Sequence, residues 1–298
     1  MNQLSSYWIF DWFTGLTLAG FGVLYGILSG WKWQPGAGLY SVGLLLMGLV
    51  QLSPLHTLGA HYLISAHMVG HMLLLLVVAP MLVVGLPKQL NTKIVTPLMQ
   101  VSAFLGKWPW LGWLTGLGVM WFWHIPAVYD ATMAHDFATA YGNILSIPLC
   151  RIGGTSTVSW MNVVHVLHPL SVVLAGICFV WPVAGPFRQY RIHPLTGVLY
   201  LFTACVGCSA LGMLITFAPV GLYQTYTGVD YYGLVHLIRQ DWGFDPATDQ
   251  QTAGLLMWVP GCFLYLTGAM YLLFNWLMER DDVISVSKTN LILEGEKA

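Results

Sequence analysis

The chain has 298 residues, 57% of them hydrophobic and only 8% charged, with a formal net charge of −1. A soluble domain carries about 25% charged residues and a nucleic-acid binder a basic surface, so both classes are excluded. Five cysteines, an odd number, give no disulfide framework.

Long apolar runs without strand-type alternation predict membrane-spanning helices rather than a barrel. In chain order the spans fall at about 9–30, 38–52, 64–86, 112–123, 161–181, 195–219 and 252–278. No Lys or Arg precedes Lys32, so the first run lacks the basic region of a cleavable signal peptide and reads as a retained helix. The fourth is short and either extends back past Pro109 or lies tilted. Trp31, Trp108, Trp123 and Trp181 stand near span ends, as an interfacial belt requires. The expected fold class is an all-α integral membrane protein, a bundle of about seven transmembrane helices. It forms a single domain over 1–280, followed by a polar, loose cytoplasmic tail over 281–298.

Loop charge orients the bundle. With seven spans, nine of the eleven Lys and Arg fall on one side, which places the N-terminus outside and the C-terminus in the cytoplasm. Nine of the ten histidines then lie towards the outer face; only His193 is cytoplasmic.

The third span opens with His67 and His71. Four residues apart on a helix, they share one face, roughly 6 Å apart along the axis. Polar side chains are expensive in a span and tend to be functional. The plainer alternative is a pair that hydrogen-bonds neighbouring helices or interfacial water. His124 closes the fourth span, and His165 and His168 open the fifth. Met68, Met72, Met213 and Met257 lie at comparable depth. Imidazole suits copper, zinc, iron or nickel, and sulfur favours Cu(I). A histidine-and-methionine site facing an oxidising compartment reads best as copper. His67, His71 and His124 are the leading ligands. His165 and His168 are further candidates, because residues three apart on a helix need not both point inward. Each methionine alone is explained as well by packing.

Asp249 and Gln250 begin the last span. Asp249 reads either as the N-cap of that helix or as an acceptor that orients an imidazole. Cys205 and Cys208 form a CVGC motif in mid-membrane, where small buried packing residues are the better reading. Gly112, Gly116 and Gly118 are expected to permit close helix contact.

Three stretches, HMVGHMLLLLVVAPMLVVGLP, WFWHIPAVYDA and DQQTAGLLMW, together resemble the CtaG family of seven-helix assembly factors for caa-type cytochrome c oxidases. The similarity runs from about residue 52 to 278. It implies copper delivery to, or maturation of, the oxidase copper site that faces the haem. By resemblance His67, His71, His124, Asp249 and Gln250 carry over; His165 and His168 match a histidine-bearing helix start less closely. Two outer stretches, 127–160 and 221–248, are longer than in the family pattern.

The expected function is a copper-binding assembly factor in a bacterial or archaeal cell membrane. Its partners are the haem-copper oxidase subunits, a soluble copper donor on the outer side and the lipid bilayer, with no nucleic acid. A resident accessory subunit without metal delivery is the alternative. Haem ligation is disfavoured because the histidine pairs cluster at one side only. The sequence presents no nucleophile, base and orienter together, so no turnover chemistry is expected.

Overall fold

The computed structural model describes residues 8, 12–133, 160–227, 230 and 233–295; along 160–166 and 281–295 it describes the backbone alone. Among these residues every regular element is helical. The α-helices are α1 (Trp12–Ser29), α2 (Ala37–Leu52), α3 (Pro54–His61), α4 (Ile64–Leu73), α5 (Ala79–Val84), α6 (Thr92–Lys107), α7 (Pro109–Trp123), α8 (Pro126–Met133), α9 (Trp160–Ala184), α10 (Pro194–Phe217) and α11 (Pro246–Gly295). Five stretches are long and apolar enough to cross a bilayer: Trp12–Ser29, Ile64–Val84, Leu167–Ala184, Pro194–Phe217 and Pro246–Arg280.

A sixth candidate among the described residues is the bent pair of α2 and α3, whose geometry fits a broken span or a re-entrant loop. α2 and α3 meet at an angle of 47°. Ser53 at the joint is extended, with φ −82° and ψ 167°, because a residue before proline is pushed out of the helical region. The fourth expected span, 112–123, is not met by length. α7 has 15 residues, about 22 Å at 1.5 Å per residue, against ~30 Å of hydrocarbon. Rather than extending back through Pro109, the chain breaks at Trp108 and enters the separate helix α6.

The third span runs Ile64–Val84 through a π-helical segment, Leu74–Val78, between α4 and α5. Pro80 lacks an N–H and cannot bond the Leu76 carbonyl. The ladder widens just before it, with the Ala79 N–H donating to the Leu74 carbonyl. Such widened turns often accompany functional sites. At the other end of the chain α11 continues to Gly295, into the stretch expected to be loose.

Close packing of α7 on α9 depends on two of the three glycines singled out. A Cβ on Gly112 would stand 2.6 Å from the Cys178 carbonyl oxygen, and one on Gly116 would stand 2.7 Å from the Phe179 Cβ. Gly118 faces open space: the nearest atom to a Cβ there would be 3.9 Å away, on Leu114. The core then gathers Met68, Val78, Leu82, Val172, Ile215 and Met257, all essentially inaccessible, between α4, α5, α9, α10 and α11.

Candidate metal centre

α4 carries His67 and His71 on one face. Their Nε2 atoms stand 2.8 Å apart. One ring must donate there and the other accept; loss of that shared proton would leave two lone pairs facing one point. Two imidazoles at ~2.0 Å from a tetrahedral ion have nitrogens about 3.3 Å apart, so a small ring rotation suffices. His168, from the first described turns of α9, completes the group. One ring nitrogen from each of His67, His71 and His168 lies within 4.8 Å of the others. The rings of His67 and His168 stack with centroids 5.3 Å apart, and those of His71 and His168 meet edge-on at 4.7 Å.

The structure therefore brings His168, rather than His124, to the His67–His71 pair. His124 stands beside it, its ring 5.1 Å from that of His71. Its Nδ1 donates to the Met120 carbonyl at 2.6 Å, which fixes the tautomer and leaves the lone pair on Nε2. That Nε2 faces the Met68 sulfur at 3.0 Å. The His165 side chain lies outside the described residues, and so does His135. Of the methionines, Met68, Met72 and Met257 are buried, whereas Met213 is 37% exposed on the surface of α10.

Asp249 does something neither expectation anticipated. The N-cap of α11 is Asp245, whose carboxylate accepts from the Thr248 N–H at 2.7 Å. Asp249 instead reaches across to the start of α4. Its carboxylate accepts from the Ile64 N–H at 2.9 Å, from the Ser65 N–H at 3.0 Å and from the Ser65 hydroxyl. These donors open the helix that carries His67 and His71. Gln250 grips the end of α10: its Nε2 donates to the carbonyls of Ile215, Ala218 and Pro219, and its Oε1 accepts from Gly221 N–H and Leu222 N–H.

Sequence reasoning missed the aromatic cover. Tyr129, four residues after Ile125 in the WFWHIPAVYDA stretch, lies fully buried with its ring 5.1 Å from that of His67. Its hydroxyl bonds that of Tyr226, which donates to the Gly59 carbonyl at 2.6 Å. The Tyr223 hydroxyl donates to the His124 carbonyl at 2.9 Å. Asp130 accepts from the backbone and hydroxyl of Thr225. On the other flank Trp123 lies edge-on to His168 at 4.6 Å and donates to Ser171, whose hydroxyl donates to the His168 carbonyl. For Trp123, Tyr129 and Asp130 the only signal was their place in the motif; Ser171, Tyr223 and Tyr226 lie outside every motif and had none.

A cavity of about 50 Å³ opens beside the cluster, lined by Gln51, His56, His67, His71 and His168 among small and apolar residues. That is room for an ion or a few ordered waters, each needing about 10–15 Å³ of such volume. The Nδ1 of His71 is buried without a hydrogen-bond partner; with Nε2 left free to ligate it carries the proton, and a bound water would accept from it. Three imidazoles with thioethers beside them fit a soft or borderline cation.

Farther out, Asp230 fastens the loop before α11 to the α3–α4 joint, accepting from Tyr62 Oη at 2.9 Å and from the Leu234 N–H at 3.0 Å. Desolvation pushes its carboxyl up, but the Tyr62 and backbone hydrogen bonds outweigh it and hold the pKa below the usual range.

These features define a multi-pass helical membrane protein with an imidazole cluster buried between α4 and α9. The chain belongs to the cytochrome c oxidase caa3 assembly factor (CtaG) family, whose model matches residues 19–147 and 155–279. The match reaches back to residue 19, so it takes in most of the first span and all of the second, beyond the motif resemblance over 52–278. No curated protein and no solved structure matches the chain. As an assembly factor of the oxidase, it has the oxidase as its partner.

Proposed function

We propose that the protein binds copper at His67, His71 and His168 and passes it to the copper site of its client oxidase from the outer side of the membrane. The observation that carries this reading is the convergence of those three ring nitrogens within 4.8 Å in a buried site. Neutral imidazole holds copper in either common oxidation state, and neighbouring thioethers bias the site towards Cu(I). His124, with its lone pair turned to the Met68 sulfur, is placed to take a metal ion that leaves the trio. Tyr129 and Tyr226 close the cluster towards the segment around Gln224–Thr227, which is the side from which an oxidase subunit would approach.

The orientation belongs to the same reading. Lys88, Arg188 and Arg191 follow the ends of spans that lead away from the histidines, Lys107 precedes α7, which leads towards them, and the basic excess marks that end as cytoplasmic. Seven crossings, counting α7, put the C-terminus on that side and the cluster outside.

The test is His67→Ala with His168→Ala in cells that make the oxidase. We expect normal membrane insertion, less copper on the assembly factor, and an oxidase with its haems present but its catalytic copper depleted. Full copper on the variant beside a failed oxidase would make these residues docking contacts instead.

A further inference from the structure

We propose a second, sulfur-lined Cu(I) site where α10 crosses α11, formed by Cys205, Cys208 and Cys262 and joined to the imidazole cluster through Met72. Three of the five cysteines in the sequence meet at this crossing. Cys205 Sγ stands 2.9 Å from Cys262 Sγ, and the Ser209 hydroxyl is 2.9 Å from the same sulfur. Cys208, one turn on from Cys205, turns its thiol to the Met257 carbonyl at 3.5 Å. Cys262 is distant in sequence from CVGC, so the motif alone gave no reason to look beyond packing.

The link upward is a missing side chain. A Cβ on Gly261 would lie 2.9 Å from the Met72 methyl and 3.5 Å from Cys208 Sγ. The thioether of α4 and the thiol of α10 therefore share the notch that this glycine leaves in α11. Met72 follows Met68 by one turn on the same face of α4, and the Met68 sulfur touches His124. The sequence of donors from outside inward is imidazole, thioether, thioether, thiol. Met68, Met72, Cys205 and Cys208 are buried and Cys262 is half-buried, which keeps most of a metal–thiolate charge, costly in lipid, inside the bundle.

Thiolates select Cu(I) among the metals that imidazole accepts. One Cu(I) displaces two thiol protons to the medium and forms two Cu–S bonds, with no change in oxidation state. With metal–sulfur bonds near 2.3 Å, two sulfurs on one ion stand about 4 Å apart when Cys208 is a third, neutral thiol donor and about 4.6 Å apart when the ion is two-coordinate and linear. From 2.9 Å the Cys205–Cys262 pair must open by roughly 1 to 1.7 Å, which side-chain rotation supplies. The site would hold copper in its reduced form below the imidazoles. This staging role rests on the copper reading above; the thiol site itself does not.

The experiment uses the full chain purified in detergent and titrated anaerobically with Cu(I) against a chromophoric Cu(I) chelator, with copper X-ray absorption on the loaded samples. Wild type should take two Cu(I) per chain with sulfur in the coordination shell. Cys205→Ser with Cys262→Ser should lose one of the two and most of the sulfur signal. His67→Ala with His168→Ala should lose the other and keep the sulfur. A wild type whose copper shell contains no sulfur overturns the proposal, as does a folded cysteine variant that retains both ions. Sulfur-bound copper that survives in the histidine variant, with no histidine-dependent copper in wild type, would leave this site standing and remove the imidazole reading. If the cysteine variant fails to fold, protection of the wild-type thiols from a small methanethiosulfonate by Cu(I) decides: protection supports the site, and unchanged labelling overturns it.

Discussion

The Asp249 carboxylate on α11 holds both the backbone N–H and the hydroxyl of Ser65, two residues before His67 on α4. A residue near the end of the chain thereby fixes the start of the helix that presents the histidine pair. Replacing Asp249 with Ala leaves the first-turn donors of α4 buried and unmet. Loss of a cap costs about 1 kcal/mol, up to ~2, and stranded buried donors cost about 1–3. We expect Asp249→Ala to lower thermal stability in detergent and copper content together, and Asp249→Asn, which keeps an acceptor oxygen, to do less. Unchanged copper in Asp249→Ala would separate the cap from the site.

His168 and His124 make different predictions. His168 is one of three converging nitrogens, whereas His124 is anchored to Met120 and Met68. Partners of ligands cost about 10–100-fold in metal affinity when removed, so a ligand should cost at least that. His168→Ala is expected to weaken copper binding by more than about tenfold, and His124→Ala by less, each read by chelator competition. Equal losses would make His124 a fourth ligand.

The pair His67 and His71 was legible because helical spacing is a local property. His168 was not separable from His165 without the rotation of α9, which its packing against α7, α5 and the π-helical segment decides. His124 closes its span as expected, but a backbone carbonyl one turn back turns its ring. The partner of Asp249 is 184 residues distant, and Cys262 is 57 residues from Cys205; neither relationship has a sequence period. The short fourth span was visible as short. Its cause, a break at Trp108 between two helices, needed the fold.

Gly116 tests the packing that sets the ring of His124. Its Cβ would stand 2.7 Å from the Phe179 Cβ, on a neighbouring helix. Gly116→Val should push α7 from α9 and destabilise by about 1–3 kcal/mol, the range for overpacked cores. Gly118→Val, in open space, should cost little beyond helix propensity. Thermal unfolding of the two variants makes the comparison; equal stabilities would mean that the α7–α9 contact is looser than the structure has it.

The loop fastened by Asp230 should have its own acid limit. Its folded pKa lies below the ordinary value because Tyr62 and the backbone amides favour the charged form. A depressed carboxylate contributes stability that is fully present above the unfolded pKa, near 3.9, and is lost as pH falls through the lower folded value. Hydrogen exchange around residues 233–241 should therefore stay slow at pH 5 and rise only below about 4. Asp230→Asn should raise it at neutral pH as well. Faster exchange already at pH 6 would point to a histidine instead.

Whether α7 crosses the membrane decides which way the molecule faces. It is short, but its neighbours mark its path. Gly112 packs on Cys178 and Gly116 on Phe179, near the far end of α9, while the His124 ring that follows it meets His71 and lies on the side of His168. α7 thus runs alongside α9 from one end of the bundle to the other, in the opposite sense. Between Lys107 and Val220 the described residues form α7, the eight-residue α8, which is too short to cross, α9 and α10. Three crossings put these residues on opposite sides; two, with α7 folded back, put them on the same side. We expect Val220→Cys, 64% exposed in the native residue, to react with an impermeant maleimide in intact cells, and Lys107→Cys to react only after permeabilisation. A chain with neither substitution sets the background from the native thiols. Reaction of both in intact cells would remove α7 as a span, and with it the outward-facing imidazole cluster.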